Sequence, residues 1–351
     1  MSITLPDATI EIPDSLTLLV QDGDVTCQMA DEFCKSGGCS PDTCTEFAIG
    51  MSSDCGCEVA TTVLDILLDD SDTFSSLVSF AQIADLADAL GDLDDITLFA
   101  PDNNGFLALV ASSPVATTLL QSDDWQPHLQ NLLKYHIVPE RIASSDINNG
   151  QTVETLSGDS LEFLVNKNGR VFINKNVRID NADTEADNGI VHTIESLLLP
   201  DWVNKNLIDV IKDIPLLATI NDLIAQADLI DTFTQEPGEG NAYTIFAPTN
   251  EAIQNDLEAL AATDIDLDDS ETVTAILQQH VIEGVRSAST LESGVELDSA
   301  LGTPLVFEEV GGTMTVNGIT IISSDNLANN GIVHIIDGLI LPPSLTAGGG
   351  A

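Results

Sequence analysis

Six cysteines, Cys27, Cys34, Cys39, Cys44, Cys55 and Cys57, fall in one short segment, and none follows Cys57. An even number of thiols among Gly, Ser, Pro and Asp can form disulfides or hold a metal as thiolates. No Cys-x-x-Cys pair and no histidine before His128 is present to complete a zinc site, so a disulfide-stapled module from an oxidising compartment is expected. The densest acidic run, Asp264, Asp266, Asp268 and Asp269, invites a calcium loop. An EF-hand needs glycine at its sixth position and glutamate at its twelfth, where Asp269 and Ala275 stand. That run, Asp69, Asp70 and Asp72, and Asp92, Asp94 and Asp95 read instead as helix caps and solvated surface, with only weak, diffuse calcium binding left to charge density. The Gly-x-Ser-x-Gly, His-Glu-x-x-His, P-loop and dinucleotide signatures are missing, and no dedicated cofactor or enzymatic activity is expected.

The chain of 351 residues carries 57 acidic and 10 basic side chains, a formal net charge of −47. That field repels nucleic acid and anionic membranes and favours cations, basic partners and a medium rich in salt or divalent ions. With 43% hydrophobic residues the chain nevertheless has the composition of a folded protein. No apolar stretch is long enough to cross a bilayer, so direct membrane insertion is not expected. The start, Met1-Ser2-Ile3-Thr4-Leu5-Pro6, lacks the pattern of a signal peptide, and an export leader is expected to have been removed. None of the 21 asparagines sits in an Asn-x-Ser/Thr acceptor, which keeps a periplasm or organelle lumen open as the alternative to secretion.

Three blocks occur twice in the same order. Leu98-Phe99-Ala100-Pro101-Asp102-Asn103 is echoed by Ile245-Phe246-Ala247-Pro248-Thr249-Asn250. Leu133-Lys134-Tyr135-His136-Ile137-Val138 is echoed by Leu277-Gln278-Gln279-His280-Val281-Ile282, and Asn188-Gly189-Ile190-Val191-His192 by Asn330-Gly331-Ile332-Val333-His334. The offset drifts from 147 residues at Phe99 and Phe246 to 142 at His192 and His334, as small loop deletions in a duplicated domain would make it.

Each copy opens with helical periodicity, Phe80, Ile83, Ala87 and Leu90 in one and Leu216, Ile220, Leu223 and Ala227 in the other. A short apolar strand, Ile96 to Ala100 or Tyr243 to Ala247, stops at Pro101 or Pro248, and a second helix leads to His136 or His280. Alternating strands follow, including a hairpin turned at Asn168-Gly169. A closing strand is expected over Ile190 to Leu199 and Ile332 to Leu341. Helices grouped early and strands late predict an α+β fold.

The Phe-Ala-Pro-x-Asn, Tyr-His and Asn-Gly-Ile-Val-His blocks, in that order and found twice, resemble the motifs of the fasciclin family. The resemblance implies two tandem β-wedge or sandwich domains flanked by helices, at residues 59–201 and 202–344. Before them lies the cysteine-rich segment 1–58, and after them a flexible tail, 345–351. The family implies a secreted or cell-surface adhesion or matrix protein that binds protein, glycan or its own kind. A structural subunit of a larger extracellular or lumenal assembly is the alternative.

The family links the Tyr-His block of animal members with integrin binding, which would make Tyr135 and His136 a contact site. Gln279 replaces the tyrosine in the second copy while His280 stays, which favours a structural role. His192 and His334, in apolar strands, read as core histidines. Seven of the ten basic residues lie between Lys134 and Lys205. Four of them, Lys167, Arg170, Lys175 and Arg178, cluster in one hairpin that the second copy lacks, a docking point for the acidic second copy, another molecule or an anionic glycan. The link Pro200-Asp201-Trp202-Val203 is short, so a stiff, extended pair is expected with Trp202 buried at the junction. In the first segment, alternation at Ile3, Leu5, Ile10 and Ile12 and at Leu16, Leu18 and Val20 predicts short strands. The terminal Ala347-Gly348-Gly349-Gly350-Ala351 has the small residues of a lipid-anchor site without the apolar tail that such a site requires.

Overall fold

A computed structural model of the chain describes residues 2–5, 8–11, 61–238, 240–260 and 269–346. The chain divides into two units, Met1–Thr61 and Thr62–Ala351. In the first, strands Ser2–Leu5 (β1) and Ala8–Glu11 (β2) pair antiparallel with Ile3 opposite Ile10. The six cysteines, the strand expected at Leu16 to Val20, the run Asp264 to Asp268 and the C-terminal glycines lie outside the described residues.

The second unit holds both copies. Each starts with a short helix, Val63–Asp69 (α1) or Leu207–Asp213 (α7), fixed by a capping box. Thr62 with Asp65 does this in one, Asn206 with Asp209 in the other, so two orphan amides are satisfied reciprocally. The periodicity read as a single helix over Phe80 to Leu90 is split between Ser71–Ile83 (α2) and Ala87–Asp92 (α3). The chain turns between them at Asp85, whose φ is +58°, and Ile83 faces solvent. In the second copy Leu216 is likewise exposed, because it sits in a 3-10 turn before Ala218–Gln226 (α8). Helices Asn103–Ser112 (α4), Pro114–Leu120 (α5) and Gln126–Lys134 (α6) complete the first helical half. Ile230–Phe233 (α9), Asn250–Leu260 (α10) and Ser270–Gln279 (α11) complete the second.

The strands of the first copy are β3 (Ile96–Pro101), β4 (Ile137–Val138), β5 (Thr152–Glu154), β6 (Ser160–Val165), β7 (Val171–Ile173), β8 (Val177–Ala186) and β9 (Gly189–Ile194). Those of the second are β10 (Tyr243–Pro248), β11 (Val281–Glu283), β12 (Glu296–Asp298), β13 (Pro304–Val310), β14 (Thr313–Val316), β15 (Ile319–Ala328) and β16 (Gly331–Ile336). The seven-stranded sheets have matching orders, β4-β3-β9-β8-β7-β6-β5 and β11-β10-β16-β15-β14-β13-β12. Among the described strands, only the pairs β3 with β9 and β10 with β16 are parallel. The closing strands end earlier than expected, at Ile194 and Ile336, because Glu195-Ser196 and Asp337-Gly338 turn the chain away.

Strand β3 is buried along its whole length because it faces two cores. Leu98 and Ala100 point into the helical cluster with Leu67, Phe74 and Leu77, while Phe99 points into the strand cluster with Phe163, Ile173 and Ile194. In β10, Ile245 and Ala247 face the helices and Phe246 faces Phe307 and Val316. The duplicated architecture is thus two sheets, each with helices on one side and a strand-built core on the other.

Candidate functional site

The repeated motif residues turn inward. Asn188 accepts from the Val63 amide at 2.8 Å and donates to the carbonyls of Leu90 and Leu93 at 2.9 and 2.8 Å, tying both ends of the first helical layer to β9. Asn330 repeats this with Leu207, Phe233 and Gln235. The next residue must be glycine because a Cβ on Gly189 would stand 2.5 Å from the Ile96 carbonyl oxygen. Asn103 accepts from the Ser76 amide and donates to the Asp72 carbonyl, and Asn250 does the same with Thr219 and Pro215.

His192 stacks on Phe99 with ring centroids 5.4 Å apart and uses both nitrogens, Nε2 toward the Ile142 carbonyl at 2.8 Å and Nδ1 accepting from the Asp183 amide at 3.1 Å. His334 is its counterpart on Phe246, with Arg286 and Asp325. These are core histidines with every hydrogen-bonding position used.

Tyr135 and His136, the contact pair suggested by the sequence, are interior, at 5% and 1% exposure. His136 Nδ1 donates to the Leu132 carbonyl at 2.8 Å, and its Nε2 accepts from the Leu198 amide at 2.9 Å, stapling the end of α6 to the segment after β9. Burial holds its imidazole at a pKa of about 4, and His280 makes the same staple between Ile276 and Ile340 with the same consequence. The Tyr135 hydroxyl accepts from Asn174 Nδ2 at 2.8 Å and donates to the Ser160 carbonyl, and burial raises its pKa. Gln279 does the corresponding work by accepting from the hydroxyls of Thr303 and Ser299. The substitution of Tyr by Gln thus preserves a helix-to-hairpin tie.

The basic hairpin divides into engaged and unengaged charges. Arg178 is held by Asp180, 2.6 Å from Nε, and by Glu195 at 3.3 Å. Lys175 stands 3.9 Å from Glu162. Lys167 and Arg170 flank the exposed turn and make no ion pair among the described residues. The ion pairs of Lys175 and Arg178 all lie within the first domain.

The two domains meet through first-domain residues, Trp125 and His128, that the repeat does not share. His128, fully buried on α6, sets Nε2 against the carbonyl oxygens of Ala328 and Gly331 in the second domain, at 3.0 and 3.2 Å. Its ring lies against Trp125 at 4.4 Å and edge-on to Trp202 at 5.0 Å. Trp125 packs in one cluster with Val285 and Ile332. Asp124 pairs with Arg286 at 3.1 Å, and the Asn329 amide donates to the Lys205 carbonyl at 2.7 Å. Trp202 is at the junction as expected, half-buried, with Nε1 donating to Asn131 at 2.8 Å. Nothing in the sequence periodicity marks His128 or Arg286; the nearest signal is that His128 alone among the five histidines has no repeat partner, the equivalent position being Thr272.

Beside Trp202, Asp159, Asp201, Asp213 and Asp325 surround Lys205, whose ammonium is 2.9 Å from Asp213. The Asp213 hydrogen bond raises the lysine pKa. Among the described residues, no group of three or more His, Cys, Asp or Glu side chains has the arrangement to hold a metal ion. Asp269, from the densest acidic run, caps α11 by accepting from the Thr272 amide at 2.9 Å.

Comparison with known proteins agrees with this geometry. A sequence profile of the fasciclin domain matches residues 72–200 and 215–342. The chain is 31% identical over 250 residues to transforming growth factor-beta-induced protein ig-h3 of Sus scrofa, covering 71% of this chain and 35% of that protein. It is 29% identical over 282 residues to human periostin, covering 79% and 30%. Protein sll1483 of Synechocystis is 36% identical over 171 residues, which cover 44% of this chain and 92% of that one. The chain therefore spans about a third of the length of the two animal relatives. Among solved structures, a FAS1 domain pair from the insect cell adhesion molecule fasciclin I aligns with a TM-score of 0.40 at 19% identity, covering 77% of this chain and 98% of that one. With two profile matches and the shared motif asparagines and histidines engaged in the same internal bonds in both copies, the chain belongs to the fasciclin domain family as a tandem fasciclin-domain protein.

Proposed function

We propose that the chain is a non-enzymatic extracellular adhesion or matrix protein that binds an anionic partner, a glycan or an acidic protein segment, in a saline or cation-rich medium. The observation that carries this reading is the contrast between the motif residues, which are spent on the fold, and Lys167 and Arg170, which stand exposed without an ion pair among the described residues in a chain of net charge −47. A pair of free cations in such a field is a local inversion of sign, which steers an anionic partner to one turn. Binding of the chain to an immobilised sulfated glycan and to itself, followed from low to high NaCl and with added calcium, tests it. Lys167→Glu with Arg170→Glu should abolish the salt-sensitive binding and leave folding intact; unchanged binding in both formats would end the proposal.

The alternative, a structural subunit of a larger assembly, is favoured by one feature. Leu107, Val110, Val115 and Leu199 of the first domain are 42% to 63% exposed, apolar side chains of the kind that a permanent contact would cover.

A further inference from the structure

The helices α4 and α5 lie in a run, residues 103–122, without one charged side chain, whereas the matching helix α10 carries Glu251, Asp256 and Glu258. Behind this neutral surface, at the joint between the domains, is a cavity of about 100 Å³. Leu119, Leu120, Trp125 and Leu132 from the first domain, Trp202 from the link and Pro237 from the second domain contribute its apolar wall. Asn329 of the second domain also lines it, and the Asn329 Oδ1 atom is buried with no hydrogen-bond partner. An orphaned amide oxygen costs about 1–3 kcal/mol, so a donor that reaches it recovers a penalty the empty joint carries. The cavity is smaller than the apolar cavity of about 150 Å³ known to take up benzene but is open on one side, so a single six-membered ring is the most it can hold. Glu236, exposed beside the same cavity, opposes an anionic guest.

We infer that this joint cavity binds a small, uncharged, ring-sized alcohol, whose apolar body fills the space between Trp125 and Trp202 and whose hydroxyl donates to Asn329 Oδ1. The guest bridges the domains, because most of its wall comes from the first and its acceptor from the second. Its binding therefore stabilises the joint by RT ln(1 + L/Kd), where L is the free guest concentration.

Cyclohexanol is the probe, since it has no absorbance that overlaps indole. Trp125 and Trp202 are the only tryptophans of the chain, so their two indole N–H resonances report on this site alone. Titration of the full chain should shift both resonances saturably, and cyclohexanecarboxylate, of similar size but anionic, should not. Ala116→Leu, which places a larger side chain into the wall, should abolish the shift. Asn329→Leu should weaken the affinity about fivefold, the worth of one net hydrogen bond, while the backbone bond to Lys205 is retained. A shift that stays linear to the solubility limit, equal binding of the carboxylate to the unaltered chain, or a saturable shift that survives Ala116→Leu would each overturn the assignment.

Discussion

His128 faces only acceptors across the domain joint, the carbonyl oxygens of Ala328 and Gly331, so its proton sits on Nε2 and Nδ1 is bare and unpartnered. Acid must add a proton to Nδ1, which places a charge in a fully buried site with nothing to accept the new N–H. Burial accordingly holds the pKa at about 4, against 6.5 for a solvated imidazole. The folded pKa lies below the unfolded one. Stability from this group is therefore complete above pH 6.5, falls with the pH as the unfolded chain takes up the proton first, and reaches its floor near pH 4. At about 1.4 kcal/mol per pH unit, the loss from pH 7.5 to pH 4.5 is about 3 kcal/mol. Stacking of the imidazolium on Trp125 acts in the opposite direction and is worth about 0.5–2 kcal/mol, so burial wins. The substitution His128→Gln keeps an amide donor for Ala328 but cannot titrate. Urea unfolding of both proteins at pH 7.5 and 4.5, followed by indole fluorescence, should show the unaltered chain losing about 1–2.5 kcal/mol more than the variant, the burial loss less the stacking gain. His136 and His280, and Asp124 and Arg286 across the same joint, are present in both proteins and cancel in the difference. Parallel pH profiles would refute the reasoning and mean that the indole offsets burial.

Gly189→Ala should cost more than about 3 kcal/mol in urea unfolding, because the new Cβ meets the Ile96 carbonyl and breaks the parallel pairing of β3 with β9. Gly150→Ala, where the space is open but φ is +79°, should cost only about 1 kcal/mol. His136→Ala, which strands the buried Leu198 amide, should cost about 2–4 kcal/mol by the same measurement, and Tyr135→Phe about 1 kcal/mol. Asp124→Asn removes an ion pair whose partners are 64% and 30% exposed, so its cost should stay below about 1 kcal/mol and vanish in high salt.

Much of the fold was legible because the duplication repeats it. Phe99 and Phe246, Asn188 and Asn330, and His192 and His334 fall at equivalent places in two sheets of one strand order, so the order of motifs located both domains before any packing was known. What was misread was local. Phe80 to Leu90 keeps a spacing of three and four through a break at Asp85, since periodicity counts residues and does not register a residue with φ of +58°. The closing strands looked longer than they are because Leu197 to Leu199 and Leu339 to Leu341 are as apolar as a strand while packing as irregular chain.

The site posed the harder problem, because the residues that repeat and the residues that distinguish one copy do different work. A tie such as Tyr135 to Asn174 can be rebuilt as Gln279 to Thr303, so a change of residue inside a motif marks an exchange of structural partners. The joint shows the converse. His128 stands where the second copy has Thr272, and the only two tryptophans both lie in the first copy or its link. A tandem pair needs one copy to present a joint face and the other to receive it, so the two sequences must diverge there even when their folds do not. Unpaired residues of a repeat are accordingly the place to look for contacts. In this chain they divide between an apolar joint around His128 and the exposed turn that carries Lys167 and Arg170.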